Sequence, residues 1–446
     1  MFYIVIIICK LIAFIGSFFG RGTSLPGKIA VTIYPDFLSK LTLPENIIAV
    51  TGSNGKTSTA EMITAIMNKG EGKVISNKEG SNQTEGIATL LLKNCSLTGK
   101  VNCRTIILES DERYAVKTFK SIKPSHFVIT NLYRDQMTRN AHPYFVCSCL
   151  EDAIKLIPDA TLIINADDPI ISKLGEKRNN TLFFGMDKNE ISTPRSTSIY
   201  NDCYYCPICK NELSYDYFHY AHLGSYYCNS CGFSRHSTDF TVEYVNLDQK
   251  EIIINNEKIS LAFPSRYNIY NICAAFAVAA AVGLSSETAA KTLSDFVIKN
   301  GRIVNFEAGE NKGILLTSKH ENSVSYNLNL EYIAQQKESS TLVIVIDEIS
   351  RKYFTSETSW LWDISFDILN GSAVKKIILT GNYCYDIAFR FEFIDLGNIE
   401  IVIEQNLDKA IELMKAKDAG KIFVLTCFSD KDKLYSRVKV KSPTAK

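Results

Sequence analysis

The chain has 446 residues, 46% of them hydrophobic and 22% charged, with a formal net charge of +1. That length leaves room for two or three domains with genuine cores, and the balanced charge gives neither a basic stripe for nucleic acid nor an acidic tail. The cysteines number thirteen; apart from one compact set they are scattered, which fits a reducing compartment better than a disulfide framework.

Residues 2–19 are apolar except for Lys10 and the small Ser17, a run near the lower length limit for a spanning helix. No basic residue precedes it and no A-x-A site follows, which argues against a secretory signal. Arg21 and Lys28 come just after it and would favour a cytoplasmic C-terminal side. Two readings fit: a membrane contact through residues 2–19, or a helix buried against the folded chain. From Asn46 onward, apolar strands alternate with helical segments, the pattern of a doubly wound α/β sheet. Residues 200–240 break this pattern with Tyr, Cys, His and short-strand character, as an inserted module would. The pattern then returns through an Ala-rich helix, a linker near Asn300 to Arg302, and a second α/β unit.

The strand I-I-A-V-T runs into Gly52, Ser53, Asn54, Gly55, Lys56 and Thr57 and then a helix. Glycines let backbone N–H groups converge on phosphate oxygens, and the helix N-terminus adds positive potential. Lys56 would neutralise the β/γ-phosphates, and the Thr57 hydroxyl would reach Mg²⁺. Glu109 ends the strand R-T-I-I-L-E; a carboxylate at a strand tip near a phosphate loop suits a metal ligand. Asp111 and Glu112 follow in a loop and read as supporting or exposed residues.

T-G-x-N-G-K-T resembles the ATP loop of the Mur ligase superfamily, which activates a carboxylate as an acyl phosphate for attack by an amine. Other segments extend the resemblance. Asn131 to Met137 resembles the N-x-x-R-D-Q-M segment of the MurT family, and Asn165 to Pro169 the N-A-D-D-P strand end of Mur ligases. Asn268 and Asn271 match the F-N-x-x-N helix, and Asn300 to Arg302 the N/D-G-R hinge. By this resemblance Gly52, Asn54, Gly55, Lys56, Thr57, Ser58, Asn268, Asn271 and Arg302 bind ATP, while Thr57 and Glu109 hold magnesium.

Cys206 and Cys209, then Cys228 and Cys231, form two C-x-x-C pairs at a spacing that marks a zinc site. Four thiolates close a tetrahedral structural site and leave no open position, so this four-cysteine set has a folding role. His219, His222, His236 and Cys203 read as packing or surface residues. The same insertion distinguishes the MurT family within the superfamily.

Residues 357–363, E-T-S-W-L-W-D, resemble a D-x-S-W-[IL]-[WY]-D segment of MurT proteins. There the first acidic residue completes a Cys–His–Asp triad in a separate GatD-type glutamine amidotransferase, and that position falls on Glu357. Trp360 and Trp362 alternate as in a strand and read equally as core. The family's N-D-x-x-A-D-G is replaced by Asp347, Glu348 and I-S-R-K-Y-F-T-S, and Lys319 matches a family lysine whose following N-P-A is here His320, Glu321 and Asn322. The resemblance covers about residues 20–446 and is tightest over 46–305.

The expected architecture is α/β: an apolar helix and linker at 1–45, a Mur ligase-like central P-loop domain at 46–305 with a four-cysteine zinc ribbon inserted at 200–240, and a C-terminal α/β domain at 306–446 that meets the glutaminase. The resemblance implies ATP-dependent amidation of the D-glutamate α-carboxyl in the lipid II stem peptide, with ATP, Mg²⁺ and Zn²⁺, ammonia from the partner, and a site at the inner face of the cell membrane. The alternative is a diverged Mur-type amide ligase that works without a glutaminase.

Overall fold

The computed structural model describes residues 1–18, 24–70, 72–77, 82–196, 198–262, 265–297, 303–348, 358–427 and 430–440. Arg302, with the hinge around it, and Glu357 lie outside the described residues. The chain forms two compact units: Met1–Tyr133, Asn140–Ser196 and Asp202–Phe296 make the first, and Arg134–Arg139, Thr197–Asn201 and Val297–Lys446 the second.

In the first unit the strands are β1 (Asn46–Thr51), β2 (Val74–Ser76), β3 (Thr105–Glu109), β4 (His126–Ile129), β5 (Thr161–Asn165), β6 (Thr181–Met186), the hairpin β7 (Ser214–Tyr220) and β8 (Leu223–Tyr227), then β9 (Phe240–Asn246), β10 (Glu251–Ile254) and β11 (Glu257–Ser260). All but the hairpin join one nine-stranded sheet in the order β11-β10-β9-β6-β5-β4-β1-β3-β2. It is parallel from β9 through to β2, and β10 and β11 add an antiparallel edge. The central strands are apolar along their whole length because helices cover both faces; β3 is buried at every position, whereas β10, in the antiparallel margin, alternates. The order reverses at β1, so a crevice opens at the carboxyl ends of β1 and β4, where such sheets bind ligands.

Helices α1 (Phe2–Phe18), α2 (Leu25–Ile33), α3 (Lys56–Met67) and α4 (Thr84–Asn94) cover part of this sheet. Gly27 lets α2 press against α4: a Cβ there would lie 2.1 Å from the Glu85 carbonyl oxygen, and the Gly27 N–H donates to Thr89 Oγ1 at 2.9 Å. α1 buries Val5, Ile6, Cys9 and Ala13, and its Phe2 ring sits 6.0 Å from Tyr34 and 5.7 Å from Phe37. Among the described residues, no helix is long and apolar enough to cross a membrane. The helix Arg266–Ala281 is buried from Asn268 to Ala279 because it packs on β4, β5, β6 and β9 and flanks α3, and its alanines permit that close approach.

The second unit holds β12 (Ile303–Ala308), β13 (Asn311–Ser318), β14 (Ser340–Val345), β15 (Val374–Thr380), β16 (Glu400–Ile403), β17 (Lys421–Cys427) and β18 (Lys439–Val440), in the order β16-β15-β14-β17-β13-β12-β18. β16 through β13 are parallel, and β12 and β18 run antiparallel at the edge. The stretch around Trp360 is not strand-like: Ser359–Asp363 is a 3₁₀ turn. Residues two apart in such a turn point in different directions, so Trp360 is buried and Trp362 is 41% exposed.

Candidate functional site

The loop after β1 depends on two left-handed glycines. Gly52 has φ 135° and a Cβ there would meet Thr130 Oγ1 at 2.1 Å; Gly55 has φ 87° and its Cβ would meet Asn271 Oδ1 at 2.0 Å. Neither contact admits a side chain. The Asn54 N–H donates to Asn131 Oδ1 at 2.9 Å, the Ser53 N–H to the Asn131 carbonyl at 2.9 Å, and the Tyr133 N–H to Ser53 Oγ at 2.9 Å. Residues 131–133 at the end of β4 therefore mould the loop. α3 begins at Lys56 with Gly55 as its cap, so its first amides face the loop mouth with the helix dipole behind them.

Thr57 Oγ1 donates to Glu109 Oε2 at 2.8 Å, and Asn82 Nδ2 reaches Glu109 Oε1 at 3.4 Å. Asn77, at the end of β2, clamps the Glu109 backbone from both sides: its Oδ1 accepts from the Glu109 N–H and its Nδ2 donates to the Glu109 carbonyl, each at 2.8 Å. Lys56 Nζ pairs with Glu112 Oε1 at 2.6 Å and also touches the Gly52 carbonyl oxygen, and Glu112 Oε1 accepts from the Gly52 N–H at 3.2 Å. Glu112 is thus buried at the loop. Asp111 is buried too, with Oδ1 accepting from the Arg113 N–H at 3.1 Å. Asn268 is buried in the first turn of its helix, and Ser58 is half-buried in α3. Asn271 Nδ2 is buried with no hydrogen-bond partner among the described residues, an orphan donor beside Gly55. A loop that only glycine can form, an unmet donor on it, and a hydroxyl beside a carboxylate fit a phosphate with a hard cation. The sequence signal for Asn77 and Glu112 was weak: Asn77 is a lone polar residue just past β2, and Glu112 is the third residue of a polar run after β3.

The strand end from Asn165 to Pro169 has another task. Asp167 is fully buried, with Oδ1 accepting from Arg235 Nε at 2.6 Å and Oδ2 from Tyr270 Oη at 2.6 Å and the Met186 N–H at 2.8 Å. Asp168, equally buried, caps the following helical turn at Ile170 (2.9 Å) and accepts from the Leu132 N–H at 2.8 Å. His222 Nε2 stands 3.2 Å from Asp168 Oδ1, an ion pair outside hydrogen-bond alignment. The Gly224 N–H donates to the Asp167 carbonyl at 3.0 Å and Tyr226 Oη to the Ala166 carbonyl at 3.1 Å. The β7–β8 hairpin is therefore seated on the strand end that also holds Leu132, beside the loop after β1. His219, His222 and Tyr226 are all buried here and held by polar contacts, His219 Nε2 lying 3.2 Å from the Met186 carbonyl, and burial pulls the His219 imidazole below its usual pKa.

Cys206, Cys209, Cys228 and Cys231 place their sulfurs within 4.8 Å of one another, with Cys206 to Cys231 at 3.7 Å and Cys209 to Cys228 at 3.5 Å. Four sulfurs about 2.3 Å from a tetrahedral metal lie about 3.8 Å apart. The two knuckles match: the Lys210 and Gly232 N–H groups donate to the Cys206 and Cys228 carbonyls, both at 3.0 Å, and both residues have positive φ. Backbone hydrogen bonding from Asn211 lowers the Cys209 thiol to about 6, while burial pushes Cys206 up to about 12. The set could bind a metal ion, and Cys203 is not part of it; that thiol lies 3.5 Å from Tyr144 Oη.

In the second unit, Lys319 Nζ stands 3.4 Å from Asp135 Oδ2, and Asn322 Nδ2 donates to Asp135 Oδ1 at 2.9 Å. The N-x-x-R-D-Q-M segment thus divides, with Asn131 at the loop and Asp135 on Lys319. Trp362, Tyr385, Phe389 and Phe393 are all exposed, with the Trp362 ring 5.3 Å from Phe393 and the Arg390 guanidinium 5.0 Å from Trp362.

A family model of the Mur ligase middle domain matches residues 50–279, more than half the chain, and one of the MurT ligase C-terminal region matches residues 320–430. The chain is 31% identical over 423 residues to the lipid II isoglutaminyl synthase (glutamine-hydrolyzing) subunit MurT of Streptococcus pneumoniae (strain ATCC BAA-255 / R6), covering 93% of this chain and 92% of that one. It is 29% identical over 392 residues to the subunit of the same name from Staphylococcus aureus (strain COL), covering 87% of each. Among solved structures, a pseudomurein peptide ligase type C from Methanothermus fervidus shares the fold, with a TM-score of 0.69 at 19% identity over 90% of this chain and 80% of that one.

The His222 to Asp168 pair makes a pH-dependent contribution. Burial alone would lower the His222 pKa, but the Asp168 carboxylate outweighs it and raises the imidazole above its ordinary value. The stability it adds is fully present below about pH 6.5 and is lost as pH rises through the folded-state pKa. At pH 6, His222→Leu should cost about 3 kcal/mol, since it strands a buried carboxylate. Urea unfolding between pH 5.5 and 8.5 checks this, and parallel stability curves for variant and wild type would show that the pair contributes nothing.

Proposed function

The chain belongs to the MurT family of Mur ligases, and from that premise we propose that it is the synthetase subunit of a glutamine-hydrolysing lipid II isoglutaminyl synthase. The reaction is ATP-dependent amidation of the D-glutamate α-carboxyl of the peptidoglycan stem peptide. The carboxylate takes the γ-phosphoryl of ATP and releases ADP; ammonia then attacks the acyl carbon and phosphate leaves. Bound Mg²⁺ supplies charge neutralisation on the phosphates. The observation that carries the reading is the meeting of Thr57 and Glu109 at 2.8 Å at the mouth of a loop shaped by two positive-φ glycines.

The residues divide the work. Thr57 and Glu109 would hold the cation. Gly52, Asn54, Gly55, Ser58 and the α3 N-terminus would line the phosphates, and Asn268, Asn271 and Arg302 would complete the nucleotide site. Lys56 now rests on Glu112; on nucleotide binding it would turn to the β/γ-phosphates, leaving Glu112 to receive the Gly52 N–H. Preorganised positive groups of this kind act where charge develops in the transition state. The four-cysteine set would hold zinc in a structural role.

The relatives' name as a glutamine-hydrolysing enzyme's subunit supports a second chain that supplies ammonia, a GatD-type glutamine amidotransferase docked on the C-terminal domain (306–446). The exposed cluster of Trp362, Phe389 and Phe393, with the half-buried Arg390 against Trp362, supports docking here, since Trp and Arg dominate binding hot spots. Glu357 directly precedes this region and would hold the partner's catalytic histidine in its tautomer. A lipid-linked substrate would place the complex at the inner face of the cell membrane.

Lys56→Ala should lower lipid II amidation by at least ~100-fold with an unchanged circular dichroism spectrum; near wild-type turnover would remove Lys56 from the phosphate site. Plasma emission spectrometry should find zinc in the purified chain, with Cys228→Ser losing it and loosening the ribbon to proteolysis, and a zinc-free wild type would contradict the metal assignment. In the complex, Glu357→Gln should abolish glutamine-driven amidation and leave ammonium-driven amidation intact. Equal loss from both nitrogen sources would sink the triad role, and amidation only from ammonium in the wild type would favour a ligase working without a glutaminase.

A further inference from the structure

α1 carries apolar residues on two faces. One face packs inward through Val5, Ile6 and Cys9. The other presents Ile4, Ile7, Ile8, Leu11, Phe14 and Ile15, each between 45% and 64% exposed. Their spacing at three, four and seven residues makes them one continuous stripe. Isolated exposed leucines need no explanation, but a contiguous stripe along a whole helix marks an interaction surface.

Length and charge select its occupant. The 17 residues of α1 span about 26 Å at 1.5 Å each, short of the ~30 Å hydrocarbon core. One face is already committed to Phe37, Leu38 and the α4 side of the core, so insertion across a bilayer would tear out that packing. A helix in the plane of a membrane surface needs only the face left open. The surrounding charge is basic. Among the described residues up to 45, Lys10, Lys28 and Lys40 stand against Asp36 and Glu45, and Lys93 and Lys100 add positive charge, exposed at the end of α4 and in the loop after it. Lys10 lies at the edge of the stripe, half-buried, where its aliphatic stem can follow the apolar surface while the ammonium reaches polar headgroups. A second copy would bring the same lysines and be repelled by them, whereas an anionic bilayer attracts each of them.

We propose that α1 docks the protein onto an anionic lipid bilayer by lying in the interface plane, its Ile4, Ile8, Leu11 and Ile15 face in the acyl boundary and its lysines on the headgroups. The inference rests on the membrane-face location proposed above and gives it a surface and a lipid charge. Docking there would hold the enzyme on the surface that presents a lipid-linked carboxylate, restricting its search to two dimensions.

The test uses the full chain in complex with its glutaminase and vesicles of phosphatidylglycerol and phosphatidylcholine. The complex should cosediment with vesicles rich in phosphatidylglycerol, at least tenfold more weakly with pure phosphatidylcholine, and lose binding as sodium chloride rises. The triple variant Ile4→Gln, Leu11→Gln, Ile15→Gln changes only exposed positions and should bind at least tenfold more weakly, with an unchanged unfolding midpoint. Lys10→Glu, Lys28→Glu should weaken binding to anionic vesicles alone. Alkaline carbonate should release the bound protein. Equal binding by the triple variant, resistance to carbonate, or no binding with a stripe-dependent dimer in sedimentation would each overturn the inference. Amidation of a lipid-free substrate separates the two ideas: retained turnover without vesicle binding refutes the docking alone, and vesicle binding without amidation refutes the functional reading alone.

Discussion

Two adjacent carboxylates, Asp167 and Asp168, lie at the end of β5 with no exposed surface. Burying one such charge costs several kcal/mol unless its oxygens are fully occupied, and here two stand side by side. The groups that satisfy them come from across the first unit: Arg235, Tyr270 and the Met186 amide on one, the Leu132 amide and His222 on the other. Each satisfied oxygen ties another element to the strand end. The helix from Arg266, the β7–β8 hairpin and the turn after β4 are all fixed by this one requirement. Because that turn also moulds the loop after β1 through Asn131 and Tyr133, the position of that loop depends on the buried acids.

The hairpin can take part because its far end is organised independently. Two knuckles with the same hydrogen bonds and the same positive-φ residue gather four thiols. A small two-stranded hairpin is marginal by itself; the buried ion pair at one end offsets that weakness, and a metal ion on the four thiols at the other would add to it. The symmetry between Lys210 and Gly232 is set by backbone geometry. Glycine reaches the left-handed region freely, while lysine takes on strain there.

The glycines at 52 and 55 act differently. Besides their positive φ, neighbours from elsewhere in the chain, Thr130 and Asn271, leave no room for a side chain at either position, so glycine is demanded here by contacts as well as by backbone conformation. The result is a rigid rim at the carboxyl edge of a parallel sheet, with Glu109 pinned through its backbone by Asn77 and through its side chain by Thr57. Rigidity of this kind lets a site hold charge without reorganising.

Much of this was legible in the amino-acid order because it is local. Strands buried on both faces read as unbroken apolar runs, the loop after β1 is a short run of glycine, lysine and threonine, and a C-x-x-C knuckle is complete within four residues. The order of residues by itself determined the α/β class, the glycine-shaped turn between β1 and α3, and the gathering of the four cysteines. Only the tertiary structure decided which partners polar residues would find. Glu112 reads as a loop acid yet is buried on Lys56, and Asp167 reads as a motif residue yet is a joint. Trp360 and Trp362 alternate like strand residues yet part into core and surface on a 3₁₀ turn, and α1 reads as uniformly apolar yet has an inner and an outer face. The physical reason is range: propensity and knuckle geometry act over a few residues, whereas the cost of a buried charge or an open apolar face is settled by whatever the fold brings beside it.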